Sequence, residues 1–538
     1  MEATPVKPKV RVKAGSRATV VRPTAGYLRD TGSRVIGTRP AFLREHRDDV
    51  RLAWRRAAGL AADIIQNSGR LRGAVDQIIA DTVGEELVLT PKPKLAKLGY
   101  DEKETVEFVK LVKDWWKRRT WNARECDLRG KFILPQQIDI ALRDDVVFGE
   151  AIGVISYMSR AQRRRYGIAS GTKFCLMPPT ALVQDTNETE GMYQGVIHDE
   201  NGRPVAYRFE ERRDGMTEKR DRMAYDARGR QMVVHVFDPI SATDVRGISR
   251  MAAGLRRELQ HDILVDTTIQ TQILQTVMAI ALISPNPSAE AFEAIEALGE
   301  GADGKKLSSE FRDYFLGTLD RAAEGKLSIG ADPQVSHLAP GEDLKLLSTG
   351  VPGPQFLPVE ANLSRDIARA LGITYGGFSM DNTSATYSSV NMDNASIWPI
   401  VTRRRSRVAA PFCQAYYEAG LDEEIGERRI PFKGGYEAFD ANREDVLWTL
   451  WNGPAKPTAD DGKSAKAATE RLVNGTSTFE AECAERGLDP EEVFESRKYW
   501  HDRFVQAGMP SPFVAKNSGA DAGDDETERP RSTQREAA

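Results

Sequence analysis

The segment from Ile248 to Ile283 constrains this chain more than any other, because no proline interrupts it and its apolar residues recur at helical spacing. Leu255, Leu259, Ile263, Ile269, Ile273, Val277 and Ile280 mark one stripe, with Gln, Thr, Asp and Arg elsewhere. At 1.5 Å per residue such a helix would run on the order of 50 Å. Few compact domains need a rod of that length, and a helix with a single apolar stripe draws its stability from whatever covers the stripe. The partner must be a second rod or a second subunit. Pro285 and Pro287 end the run.

A second amphipathic helix, over 354–372, has Phe356 leading in, Val359, Leu363, Ile367 and Leu371 on one face after Pro358, and Gly372 as its cap. The intervening 284–350 reads as a small inserted domain, with short helices at Ala289–Leu298 and Ser308–Phe315 and extended pieces near Lys326 and His337. Upstream, 1–40 is a Pro-, Gly- and Lys/Arg-rich arm without periodicity, either ordered by a partner or a solvated tail. The stretch 41–247 is a mixed α+β unit. Helices are predicted from Arg51 to the break at Gly69, over Leu71–Thr82, over Asp101–Arg119 and over Pro135–Asp145. Strands are predicted at Glu150–Tyr157, Gly191–His198, Pro204–Glu211 and Met232–Phe237, with Asn201-Gly202 as a hairpin turn. Trp115 and Trp116 read as core. Downstream lie a polar loop over 373–390 and a long helix from Val390 to Gly420, interrupted only at Pro399 and Pro411, which with its return spans 391–445. A helical unit follows over 446–514, with helices at Glu444–Trp451, Asp460–Asn474, Thr478–Glu485 and Pro490–Ala507, and then a disordered tail over 515–538. The fold class is α+β, predominantly helical.

The chemistry the sequence carries is sparse. Cys126, Cys175, Cys413 and Cys483 have no CxxC spacing, and the six histidines form no metal-binding pattern. Gly299 to Lys306 nearly spells a phosphate loop, but Lys306 stands where a hydroxyl should hold magnesium, and Glu300 and Asp303 would repel phosphate. Gly377-Phe378-Ser379-Met380-Asp381 opens like a nucleophile elbow and lacks its closing glycine. Glu360, Asp366, Asp381 and Asp393 read as solvated carboxylates. No catalytic residue, cofactor site or metal site is expected. The candidate functional residues are those of the polar loop, Thr374, Tyr375, Gly376, Gly377, Asn382, Thr383, Ser384, Thr386, Tyr387, Ser388 and Ser389, because a connection of that length between helices exceeds what joining them requires. Arg403, Arg404, Arg405 and Arg407 form a basic run that reads equally as a solvated face meeting another subunit or as a contact to a nucleic-acid backbone. The N-terminus has no apolar signal region and no apolar run is long enough to cross a membrane, which predicts a chain made in the cytoplasm. With 75 basic against 79 acidic residues, net −4, it is too balanced for a high-affinity DNA binder and compatible with DNA that slides.

Several separated blocks resemble the lambda-type portal family of tailed phages. They are WRRAAGLAADIIQNSGRLRGAVDQIIADTVG, then WW…WNARECDLRG followed by ALRDDVVFGEAIGV, then IHDENGRPVAYRF, VVHVFDPISATDVRGIS and finally IARALGITYGGFSMDNTSATYSS. The likeness extends over roughly residues 25 to 505. Two positions depart from the family pattern: Thr386 stands where an asparagine is usual and Asn391 where an arginine is expected.

The resemblance implies a ring of about twelve subunits around an axial channel. It maps 41–247 onto a wing, 248–283 and 354–372 onto a stem, 284–350 onto a clip, 373–390 onto a channel loop and 446–514 onto a crown. It further implies a virion component at one capsid vertex, assembled in the host cytoplasm. Its partners would be double-stranded DNA without sequence preference, the terminase large subunit, the major capsid protein and head-completion or tail connector proteins, with no membrane. The rivals are a packaging nuclease or ATPase, which would need a complete Walker loop or an acidic metal cluster, and another head structural protein that forms shells.

Overall fold

A computed structural model describes residues 43–281 and 353–513, apart from Asp214, Asn382, Ser384 and Ala459. The expected arm over 1–40, the clip with its short helices, the near-miss phosphate loop and the tail over 515–538 lie outside the described residues.

The chain enters through α1 (His46–Asn67) and α2 (Gly69–Thr82). The first begins at His46 rather than Arg51, since Asp48 and Asp49 complement the positive end of the helix dipole in its first turn. The break is Ser68, not Gly69: its backbone is extended and its hydroxyl accepts the Leu71 N–H, capping α2. Val50, Trp54, Ala57, Ala61 and Ile64 face inward, whereas Leu52, expected on that stripe, is exposed. Helix α3 (Glu102–Thr120) opens on a capping box between Asp101 and Glu104 and closes on Lys117, Arg118 and Arg119. Trp116 is buried as the sequence predicts, with the rings of Tyr416, Tyr417 and Trp451 5.4–5.8 Å from its own. Helix α4 (Leu134–Phe148) then leads into strands.

Three small antiparallel sheets follow: β1–β9 (Val88–Pro91 with Thr449–Asn452), β3–β2–β8 (Thr172–Met177, Glu150–Tyr157, Val233–Phe237) and β4–β5–β6–β7 (Met192–Tyr193, Val196–His198, Pro204–Arg213, Met216–Met223). The single strand expected at Gly191–His198 is two, turned at Gln194 and Gly195, both with positive φ. A Cβ on Gly195 would lie 2.4 Å from the Val183 carbonyl oxygen, which fixes glycine there. Asn201-Gly202 turns the β5–β6 hairpin as predicted. Strand β3 is buried at every residue and so shows no alternation, and β7 is almost wholly exposed and carries charge on both faces; neither offers the period-two signal, and neither was expected. The helix expected at Glu444–Trp451 is a correction: a short turn of helix, Arg443–Val446, gives way to β9, whose residues pair with β1 across the molecule.

The rods are α5 (Leu255–Ala281) and α6 (Phe356–Leu371). The described part of α5 holds 27 residues, about 40 Å. It starts later than Ile248 because Arg250–Ala253 form a 3-10 turn capped by the Ser249 hydroxyl. The chain enters that turn through an unusually close backbone crossing: a Cβ on Gly149 or on Gly247 would stand 2.0 Å from a carbonyl oxygen of the other segment. Gly372, at φ 71°, ends α6, and the Ile373 N–H reaches back to the Ala368 carbonyl. After a short helix α7 (Tyr375–Ser379), α8 (Tyr387–Arg404) passes through a π-helical turn, Arg405–Ala409, into α9 (Ala410–Gly426). Pro411 follows just after this π-helical turn, where the hydrogen-bond register of the helix has just shifted.

Helix α9 is buried on almost every side, so its sequence carries no stripe. It joins a core that runs from Ala61 through α2, α3, α4 and β2 to Leu447, uniting residues from both sides of the rods. Arg119 of α3 fastens it, donating to Tyr416 Oη at 2.8 Å and to Glu424 Oε1 at 3.0 Å. The remaining helices, α10 (Asp461–Val473), α11 (Phe479–Glu485) and α12 (Pro490–Gln506), sit on this body through polar ties such as Lys113 to Asp489 and Lys110 to Glu495. Among the described residues, no helix is long and apolar enough to cross a membrane.

Candidate functional site

The stretch Thr374–Ser389 is not one loop. Thr374 caps α7, its hydroxyl accepting the Gly377 N–H at 3.0 Å. Tyr375, Gly376 and Gly377 are therefore helical, and Phe378 is driven into the core with 4% of its surface exposed. Ser379, which the elbow-like motif singled out, turns its hydroxyl to the Tyr375 carbonyl. Met380 in the left-handed region ends the turn. At the other end Thr386 and Ser389 form a capping box, so Tyr387, Ser388 and Ser389 are the first turn of α8. What projects is 380–386, of which Asn382 and Ser384 lie outside the described residues.

This projection is polar without being basic. Met380 is 82% exposed, and Asp381, Thr383, Ala385 and Thr386 are exposed with it. Between Ile373 and Arg403 the sequence holds no Lys, Arg or His. The one charge at the tip belongs to Asp381, whose carboxylate accepts the backbone N–H and the hydroxyl of Thr383 and is held below the usual carboxylate range by them.

Beneath the projection, α2, α5, α6 and α7 converge on a cluster that sequence reading missed. Arg70 Nη2 lies 3.2 and 3.3 Å from the two Glu258 oxygens and 2.9 Å from His261 Nδ1, while Nη1 lies 3.4 Å from Ser364 Oγ and 3.5 Å from Glu360 Oε1. His261 Nε2 is 3.0 Å from Glu360 Oε1 and 2.7 Å from Arg70 Nη1, so both ring nitrogens face the guanidinium and one also faces the carboxylate. Burial raises the Glu258 carboxyl despite the Arg70 charge. Burial also acts to raise Glu360, but the hydrogen bonds from His261 and Ser364 outweigh it and its carboxyl is lowered. Glu360, expected to be merely solvated, thus belongs to a network. The Arg70 guanidinium stacks 4.9 Å over the Phe378 ring, and that of Arg365 4.8 Å over Tyr375. These residues are ordinary one by one, and Arg70 lies 294 positions from Ser364, so no local pattern marks them.

The basic run divides. Arg403 is exposed and pairs with Asp238 at 2.6 Å, and Arg407 is exposed. Arg404 is buried and donates to the Leu371 carbonyl at 2.8 Å; burial, followed by the charge of Arg250, lowers it to about 10. Arg405 is buried too, donating to the carbonyls of Thr82, Asp81 and Pro454. The face expected for Arg404 and Arg405 is therefore corrected to an internal brace at the junction of α2, α6 and α8.

The family described as "Phage portal protein, lambda family" matches residues 33–405. The portal protein of Escherichia phage N15 is 24% identical over 455 residues, covering 82% of this chain and 83% of that protein. Portal protein B of Escherichia phage lambda is 24% identical over 447 residues, 81% of each. A chain in the neck of a native GTA particle, computed with C12 symmetry, aligns at 12% identity and a TM-score of 0.36, over 84% of this chain and 94% of that one.

Proposed function

The chain belongs to the lambda family of phage portal proteins, and from that membership we propose that its copies close into a ring of about twelve around a channel for double-stranded DNA. The single observation that carries this reading is the state of the rod. Along α5, Leu259, Ile263, Ile269 and Ile273 are 41, 65, 48 and 52% exposed in the isolated chain, although α6 packs beside its base. A helix this long with an uncovered apolar stripe needs cover, and a neighbouring copy offers it at every step of a closing rotation.

In this reading 41–247 is the wing, α5 and α6 the stem, 284–350 the clip that meets the terminase motor and later the head-completion or tail connector proteins, and 446–514 the crown. The wing faces the major capsid protein at one vertex of the head, and the ring is built in the host cytoplasm. The projection 380–386 narrows the channel; Thr383 and Thr386, with Asn382 and Ser384, touch DNA through neutral groups, and Arg403 and Arg407 are the two exposed members of the basic run, placed to meet DNA or a neighbour. Thr374 to Gly377 and Tyr387 to Ser389 shape the projection from its two ends. Such a surface transmits DNA without gripping it, since few phosphates are neutralised. The role is structural, with the energy for packaging supplied by the motor.

Electron microscopy of the purified chain under assembly conditions tests the reading. Rings with a central opening wide enough for duplex DNA are expected. A compact particle with no opening and no tendency to associate overturns it.

A further inference from the structure

We propose that Arg70 is the positioning residue of the channel projection, the group through which a change in the tilt of the stem reaches the loop. The inference rests on the reading of 380–386 as a channel element and assigns what holds it in place.

A helix of five residues cannot hold itself, so the position of α7 is set by what touches it. Phe378 is its anchor, buried in the core, and the guanidinium of Arg70 covers that ring. The same planar group reaches Glu258 and His261 on α5 and Glu360 and Ser364 on α6. Only arginine offers a fork of N–H donors and a flat face at once, so one side chain can bind two rods along its edge and an aromatic ring on its face. Glu258 has no exposed side-chain surface and Arg70 only 23%, so these contacts act with little screening by solvent. Any shift of α5 relative to α6 must move Glu258 and His261 against Glu360, carry the guanidinium with them, and so load the Phe378 ring. Met380, where the projection begins, lies within the same short turn of chain. Arg70 thus ties both rods to the short helix from which the projection leaves.

The test uses the full chain assembled as rings, with Arg70→Gln compared to wild type by amide hydrogen exchange over 375–386 and by retention of DNA in particles built with the variant. Exchange over 375–386 is expected to rise by about tenfold with rings intact and with α4 and β2 unchanged, and DNA retention to fall. Unchanged exchange over 375–386, or a rise of equal size throughout α4 and β2, overturns the proposal. Should Arg70→Gln fail to assemble, Arg70→Lys keeps the positive charge and removes the fork and the flat face that lies over the Phe378 ring. The same local rise is then expected, and its absence is equally decisive against the proposal. Deleting 382–385 separates the two readings. If DNA retention survives that deletion while Arg70→Gln still loosens 375–386, the channel role of the loop falls and the positioning role of Arg70 stands.

Discussion

Glu150 keeps its charge with no exposed surface because Arg246 forks onto it, with Nε 2.9 and 3.1 Å from its oxygens, and His235 Nε2 lies 2.9 Å away. Burial pushes this carboxyl up, but the Arg246 charge and the His235 hydrogen bond outweigh it and hold it at about 2. The folded value lies below that of an unfolded glutamate, so the stabilisation is complete above about pH 4.5 and is lost as pH falls toward 2. Glu150→Gln is expected to cost roughly 3 kcal/mol at pH 7 and to converge on wild type near the acid limit, read by urea denaturation across that range. The basic run gives a second contrast at this scale. Arg405→Ala strips three carbonyls of their donor and is expected to destabilise by about 2–4 kcal/mol. Arg403→Ala and Arg407→Ala should change thermal stability by no more than about 0.5 kcal/mol. In the sequence the four arginines look alike; only the fold tells a brace from a surface.

At the scale of elements, legibility followed periodicity. The stripes of α5 and α6, the apolar spacing in α3 and the glycine after Leu371 are local signals; they placed α3 and α6 within two residues, whereas α5 starts at Leu255 rather than Ile248. Strand β9 and helix α9 were harder for opposite reasons: β9 exists because β1 accepts its backbone hydrogen bonds across the molecule, and α9 is enclosed all round, so neither has a face to alternate. The stretch Thr374–Ser389 shows the same divide. Its position after the second rod was readable, but α7 forms because Phe378 has a core to enter. For the rod itself, Ile263→Glu combined with Ile273→Glu should leave the melting of the isolated chain within about 0.5 kcal/mol of wild type, since both residues are already half-exposed. The same pair should abolish ring assembly in sedimentation velocity. Destabilisation of the monomer with assembly intact would place the stripe inside the subunit instead.

At the scale of the whole molecule, charge balance bears on how DNA is handled. With 75 basic and 79 acidic residues the charge is balanced, and described arginines such as Arg119 and Arg250 are held in ion pairs with Glu424 and Asp145 rather than offered to phosphates. Duplex binding by assembled rings is therefore expected to be weak. The logarithm of its association constant should fall with that of salt concentration at a slope no steeper than about −3, measured by fluorescence anisotropy. A much steeper slope would mark a wall that holds DNA rather than letting it pass.

By itself the sequence determined what depends on near neighbours along the chain: the helical stripes, the capping residues, the turn at Asn201-Gly202 and the order of blocks that places this protein among lambda-type portals. The tertiary structure decided what depends on residues brought together from afar. It sent Arg404 and Arg405 inward, paired β1 with β9, joined residues from both sides of the rods in one core, and assembled Arg70, Glu258, His261 and Glu360 under the projection. The physical reason is that helix propensity and capping act over a few residues, whereas burying a charge is favourable only where distant partners have already been gathered to receive it.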